Sequence, residues 1–116
     1  MDDKYLKEEL EKINEKSDMK ELQKYVNDMI EIRGFEKDTP QDIMLLLTEE
    51  IGELAKEIRK ATNMKIDSKI KGNKTDVKGE IADIFIYILC MCRVMNINLV
   101  EAFKEKEERN LRRSWK

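Results

Sequence analysis

The stretch from Leu45 to Lys60, LLLTEEIGELAKEIRK, constrains this chain most, because its apolar residues recur with a helical period while acids stand among them. At about 100° per residue, Ile43, Leu46, Leu47, Ile51, Leu54, Ile58 and Ala61 fall on one face and make it the core side. Glu50 projects into that stripe, Glu53 lies at its edge one turn on, and Glu57 lies between them. Glu49 points further toward the polar side. An unpaired carboxylate on a core face is costly or takes up a proton, so these acids need cations nearby. From this helix alone two readings stay open. It is either a boundary helix with Glu–Lys pairs such as Glu53–Glu57–Lys60, or one wall of a cation site.

The rest of the chain favours helices throughout. It has 116 residues, of which 41% are hydrophobic and 41% charged, enough for one compact domain. Only four Gly and one Pro accompany abundant Glu, Lys, Leu, Ile and Met, whereas a many-stranded sheet needs more turn residues and β-branched runs. The expectation is an all-α, four-helix-bundle-like domain over residues 19–116, preceded by a short helical extension over residues 1–18. A net charge of −2, with both signs interspersed, carries no basic bias, so nucleic acid is not an expected partner. The most apolar segment, Ile81 to Met95, is too short and too charged to span a membrane. No charged n-region followed by an apolar run opens the chain, which gives cytoplasmic residence as the expectation.

Histidine is absent. That removes His general bases, Ser–His and Cys–His nucleophile pairs, and Glu-x-x-His iron sites. Cys90 and Cys92 are two apart on a helix and point in nearly opposite directions, so they share neither a metal nor a disulfide and read as buried reduced thiols. Any catalysis therefore falls to carboxylates, amines or a metal.

Residues 2–15 repeat Leu6, Leu10 and Ile13 among charges, a weak amphipathic helix suited to packing on a partner. Asp18 with Glu21 reads as a capping box opening a helix through Arg33, closed by Gly34, with Phe35 tucked back against it. Thr39-Pro40 starts the acid-bearing helix, which runs to about Thr62. Residues 63–74 read as a charged surface loop. Its Lys71-Gly72-Asn73-Lys74-Thr75 lacks the Gly before Lys and the preceding strand of a phosphate loop. Thr75 is the expected cap of a helix from Asp76 to about Met95, and Asn98, with Glu101 three on, caps a last helix to about Arg113. Two apolar sides on the helix of residues 76–95 suggest burial at the centre of the domain. The side carrying Ala82, Phe85, Ile86 and Leu89 lacks an obvious cover, and so predicts self-association.

Glu50/Glu53 and Glu80/Asp83 are both (i, i+3) pairs bordering a core stripe, and an antiparallel packing of their helices brings them to one level. Gly52 and Gly79, one beside each pair, read as allowing close backbone approach. Four clustered carboxylates repel one another and need counter-charge. Hard oxygen ligands without His or Cys suit Mg²⁺, with Mn²⁺ an alternative. On the last helix Lys106, Asn110 and Arg113 share one face, and two cations with an amide in line fit a polyphosphate chain.

Together these residues, Glu49-Glu50-Ile51-Gly52-Glu53, then Glu80-Ile81-Ala82-Asp83, then Lys106, Asn110 and Arg113, resemble the EExxE…ExxD pattern of the MazG-like all-α nucleoside triphosphate pyrophosphohydrolases. The resemblance covers about residues 19–116. It implies a four-helix domain, oligomeric as a homodimer or homotetramer, that hydrolyses a nucleoside triphosphate to the monophosphate and pyrophosphate. By position it implies Glu50, Glu53, Glu80 and Asp83 as Mg²⁺ ligands, and Lys106, Asn110 and Arg113 as phosphate contacts. Phe35 matches an aromatic near the base. Glu49 or Glu53 is the expected base toward water. Phosphoribosyl-ATP pyrophosphatase uses similar acids and is the nearest rival; a non-catalytic helical interaction module is the rival from another class.

Overall fold

The computed structural model describes residues 2–62 and 75–113. Among these there are five helices and no strand: α1 (Asp3–Glu11), α2 (Met19–Arg33), α3 (Pro40–Ala61), α4 (Val77–Val94) and α5 (Leu99–Leu111). The all-α expectation therefore holds. The loop expected over 63–74, with its Lys-Gly-Asn-Lys stretch, lies outside the described residues.

Most helix ends follow from residues visible in the sequence. Asp18 accepts a hydrogen bond from the Glu21 amide at 2.8 Å, and Asn98 from the Glu101 amide at 3.1 Å. Thr39 and Asp42 form a reciprocal capping box, each side chain accepting from the other's backbone N–H, with Pro40 opening the helix. Such caps each contribute about 1 kcal/mol by satisfying amides that the helix leaves unpaired. Gly34 closes α2 in the left-handed region (φ 74°), and the Phe35 amide reaches back to the Ile30 carbonyl. Asn96 (φ 54°) plays the same part after α4, where the Ile97 amide reaches back to Cys92. The cap of α4 differs from expectation. Asp76 rather than Thr75 holds it, its Oδ1 accepting from the Gly79 amide at 3.2 Å.

The chain divides into two compact units, Met1–Lys37 with Leu89–Lys116, and Asp38–Ile88. The first has the better-covered core: Leu6 of α1, Val26, Met29 and Ile30 of α2, and Leu89, Cys90 and Cys92 of α4 are all buried. Both cysteines are free thiols, and burial pushes the Cys92 thiol up. α1 packs on α2 of its own chain, burying Leu6 and leaving Leu10 exposed. The Tyr5 hydroxyl donates to Asp28 at 2.9 Å across that junction. Arg93 donates to the Asn27 carbonyl and pairs with Glu31, tying the end of α4 to α2.

The second unit is thinner. Ile43 is buried, while Leu46, Leu47, Leu54, Ile84, Phe85 and Ile88 are half-buried. Three residues of the expected core stripe stay exposed, Ile51 at 49%, Ile58 at 41%, and Ala61 at the end of α3. Met44, Ile51 and Ile58 recur every seven residues along α3, a continuous uncovered line. On α4 Ile81, at 52%, is uncovered; of the side the sequence left without a cover, Ala82 and Ile86 are exposed, Phe85 is half-buried and Leu89 is 2% exposed. No single helix among the described residues is long and apolar enough to cross a membrane.

Candidate metal centre

Two contacts fix how α3 and α4 meet in the second unit. The backbone N–H of Asp76, just ahead of α4, donates to Glu57 near the end of α3 at 3.4 Å. Further along α4, the carboxyl groups of Glu80 and Asp83 come together with that of Glu50, further back on α3, with ligand oxygens all within 4.8 Å of one another. As α4 advances from 76 to 83, its partner on α3 recedes from 57 to 50. The helices are antiparallel, in the arrangement that convergence of the acids requires.

The cluster is half-buried at Glu50 and Glu80 and exposed at Asp83. Glu80 is the most perturbed acid in it. A hydrogen bond with the Glu50 carboxyl, partial burial, and the charges of Glu50, Asp83 and Glu53 push its carboxyl up to about 7. Its Oε2 is closed off from solvent with no hydrogen-bond partner among the described residues. Glu53, one turn on, is exposed and lies outside the close group of three, although its charge reaches Glu80. Glu49 is exposed too.

The glycines have roles other than the expected one. Among the described residues nothing lies within 4 Å of a Cβ built on Gly52, so none of their backbones approaches it. A Cβ on Gly79 would run into the Asp76 carboxyl group. Gly79 makes room for the helix cap, a side chain, rather than for a neighbouring backbone.

Lys106, Asn110 and Arg113 belong to the first unit. Lys106 and Arg113 are exposed, and Asn110 is half-buried, its Nδ2 donating to Glu107 at 3.3 Å. Phe35, in the same unit, is 46% exposed rather than tucked against α2. The turn closed by Gly34 uses the Phe35 backbone, whose amide bonds to the Ile30 carbonyl at 2.9 Å.

Three carboxylates with mutually close oxygens, one of them carrying an enclosed unpartnered atom, form a donor set suited to a hard divalent cation. The chain matches the MazG nucleotide pyrophosphohydrolase domain over residues 38–115. It belongs to that family. The MazG match takes in α3, α4 and α5, hence all four acids together with Lys106, Asn110 and Arg113, and leaves α1, α2 and Phe35 outside it. Neither a curated protein nor a solved structure matches the chain. MazG membership supports a nucleotide pyrophosphohydrolase, a hydrolase of a family that is typically dependent on divalent metal.

Proposed function

We propose that the chain hydrolyses nucleoside triphosphates to the monophosphate and pyrophosphate, with Mg²⁺ held by Glu50, Glu80 and Asp83 and with Glu53 at its edge. The observation that carries this reading is the convergence of three like-charged groups, within 4.8 Å, in a chain of the MazG family. Acids placed so that they destabilise one another are suited to a ligand that supplies the missing charge. A divalent cation bound there neutralises phosphate charge and favours in-line attack by water. Glu49 or Glu53, both exposed, orients that water and accepts its proton. Lys106, Asn110 and Arg113 bind the phosphate chain, and Phe35 stacks on the base. Mn²⁺ suits the same oxygens.

The reading has the protein act in the cytoplasm on free nucleotides, without nucleic acid or membrane as partner. It also has the chain act as a homodimer or homotetramer. The uncovered line of Met44, Ile51 and Ile58 supports association, since apolar stripes of this kind mark interfaces.

A release assay over ribo- and deoxynucleoside triphosphates and phosphoribosyl-ATP, with Mg²⁺ and without added pyrophosphatase, tests the reaction. Pyrophosphate and monophosphate are the expected products. Release of inorganic phosphate would contradict the bond assignment, and turnover of phosphoribosyl-ATP alone would move the substrate class. A chain that turns over nothing with Mg²⁺ would be a helical interaction module. A monomer mass by light scattering at micromolar concentration would remove the oligomer.

A further inference from the structure

We infer that Glu57 is a positioning residue that pins the start of α4 to α3 and so sets the register at which Glu80 and Asp83 meet Glu50. Its consequence for metal binding rests on the function proposed above; the register itself does not.

Glu57 lies seven residues beyond Glu50, two turns along nearly the same face. Unlike Glu50 it is compensated. Its Oε1 pairs with Lys60 at 3.5 Å, and the two side chains are only 15% and 16% exposed. Its Oε2 accepts from the Asp76 amide at 3.4 Å. Asp76 in turn begins α4: its Oδ1 accepts from the Gly79 amide, and its carbonyl accepts from the Glu80 amide at 3.1 Å. One carboxylate on α3 thus holds the residue from which the first turn of α4 hangs, and that connection ends on the backbone of Glu80. The amides at a helix start carry the positive end of the helix dipole, so a carboxylate is favoured there by charge as well.

The spacing explains why this anchor matters. From Glu57 back to Glu50, and from Asp76 on to Asp83, the rise is the same, about 10 Å at 1.5 Å per residue. Fixing Glu57 at Asp76 therefore fixes Asp83 level with Glu50. A slip of one residue would turn α4 by about 100° and carry Asp83 off the shared face. Gly79 belongs to the same device, because any larger residue there would displace the Asp76 cap.

The test uses the full chain. In metal-free protein, Glu57→Ala should speed hydrogen exchange at the Gly79 and Glu80 amides about fivefold, with the Glu101 amide, capped independently by Asn98, unchanged. Mg²⁺ affinity by calorimetry should fall about tenfold, in the range for groups that orient metal ligands. Glu57→Gln, which keeps an acceptor for the Asp76 amide and guards against an alanine variant that fails to fold, should fall between Glu57→Ala and wild type in both. Exchange at Gly79 and Glu80 unchanged would overturn the inference, and faster exchange with unchanged Mg²⁺ affinity would reduce Glu57 to an ordinary cap. A wild-type chain that neither binds Mg²⁺ nor hydrolyses nucleotides would defeat the proposed function while the exchange result still decided the register.

Discussion

Asp28 on α2 and Glu80 on α4 are both half-buried carboxylic acids, and their neighbours move them in opposite directions. Burial alone would push Asp28 up, but hydrogen bonds from Lys24 and Tyr5, each at 2.9 Å, hold it below the ordinary carboxylate value. Lys24 is raised in return, first by Asp28 and then by Tyr5. Glu80 has acids where Asp28 has donors, and is pushed up to about 7. Both acids are half-buried, so the sign of the neighbouring charge decides. A compensated acid ties α1 to α2, while the uncompensated trio opposes folding until something neutralises it, which is the pattern expected of a site rather than of a scaffold.

Removing one acid from each place separates them most widely. Glu50→Gln should lower hydrolysis by at least about 100-fold, beyond the loss typical for groups that merely orient ligands, and leave the metal-free protein as stable as wild type or more so. Asp28→Asn should do the reverse, leaving the rate unchanged and lowering the melting temperature. Pyrophosphate release, with melts in EDTA, reads both. A Glu50→Gln protein strongly destabilised in EDTA, together with a wild type indifferent to Mg²⁺, would show Glu50 to be a structural acid paired with a cation.

Metal should act on one region only. At a concentration 100 times its dissociation constant, Mg²⁺ should stabilise wild type by about 2.7 kcal/mol, and Glu50→Gln by less. Chelation should stop turnover; activity persisting in excess EDTA would break the metal assignment. Smaller still, Tyr5→Phe removes the hydroxyl that donates to Asp28 and accepts from the exposed Lys24 ammonium at 3.1 Å, and should cost about 1 kcal/mol in urea denaturation, with the Mg²⁺ response unchanged.

The helix boundaries were legible because caps are local: Asp18, Thr39 with Pro40, Gly34 and Asn98 act within a few residues of their own positions. Thr75 and Asp76 are adjacent residues that both cap well, and nothing local chose between them. Periodicity placed Ile51 and Ile58 on an apolar face but carries no information on what covers that face, and both are exposed. The acids show the same division. Spacing put Glu50 and Glu53 together on α3, yet they lie about 4.5 Å apart along its axis, and the antiparallel register decides which of them comes closest to Glu80. Glu57 was visible as a Glu–Lys pair with Lys60, which it is; its second contact, to Asp76, joins residues far apart in sequence and has no signature in it.

The smallest effect is a slope, and it distinguishes the two acids by sign. Folded Glu80 keeps its proton up to about pH 7, whereas the ordinary value is 4.5, so folding takes up a proton between these limits. Its contribution is fully present below the lower value and is lost as the pH rises through the upper one. Asp28, held below 3.8, contributes above that value and loses its contribution only in stronger acid. Metal-free wild type should therefore gain stability on acidification from about pH 8 to about pH 5 through Glu80, with Asp28 silent throughout that window. Mg²⁺ competes for the same carboxyl, so its affinity should weaken as the pH falls below about 7 and the gain on acidification should shrink or reverse when the metal is present. Urea midpoints across that range, with and without Mg²⁺, read the slope for wild type and for Glu80→Gln, which has no proton to take up. An equal slope in both proteins would mean that another group titrates, and that repulsion within the acid trio is not what raises Glu80.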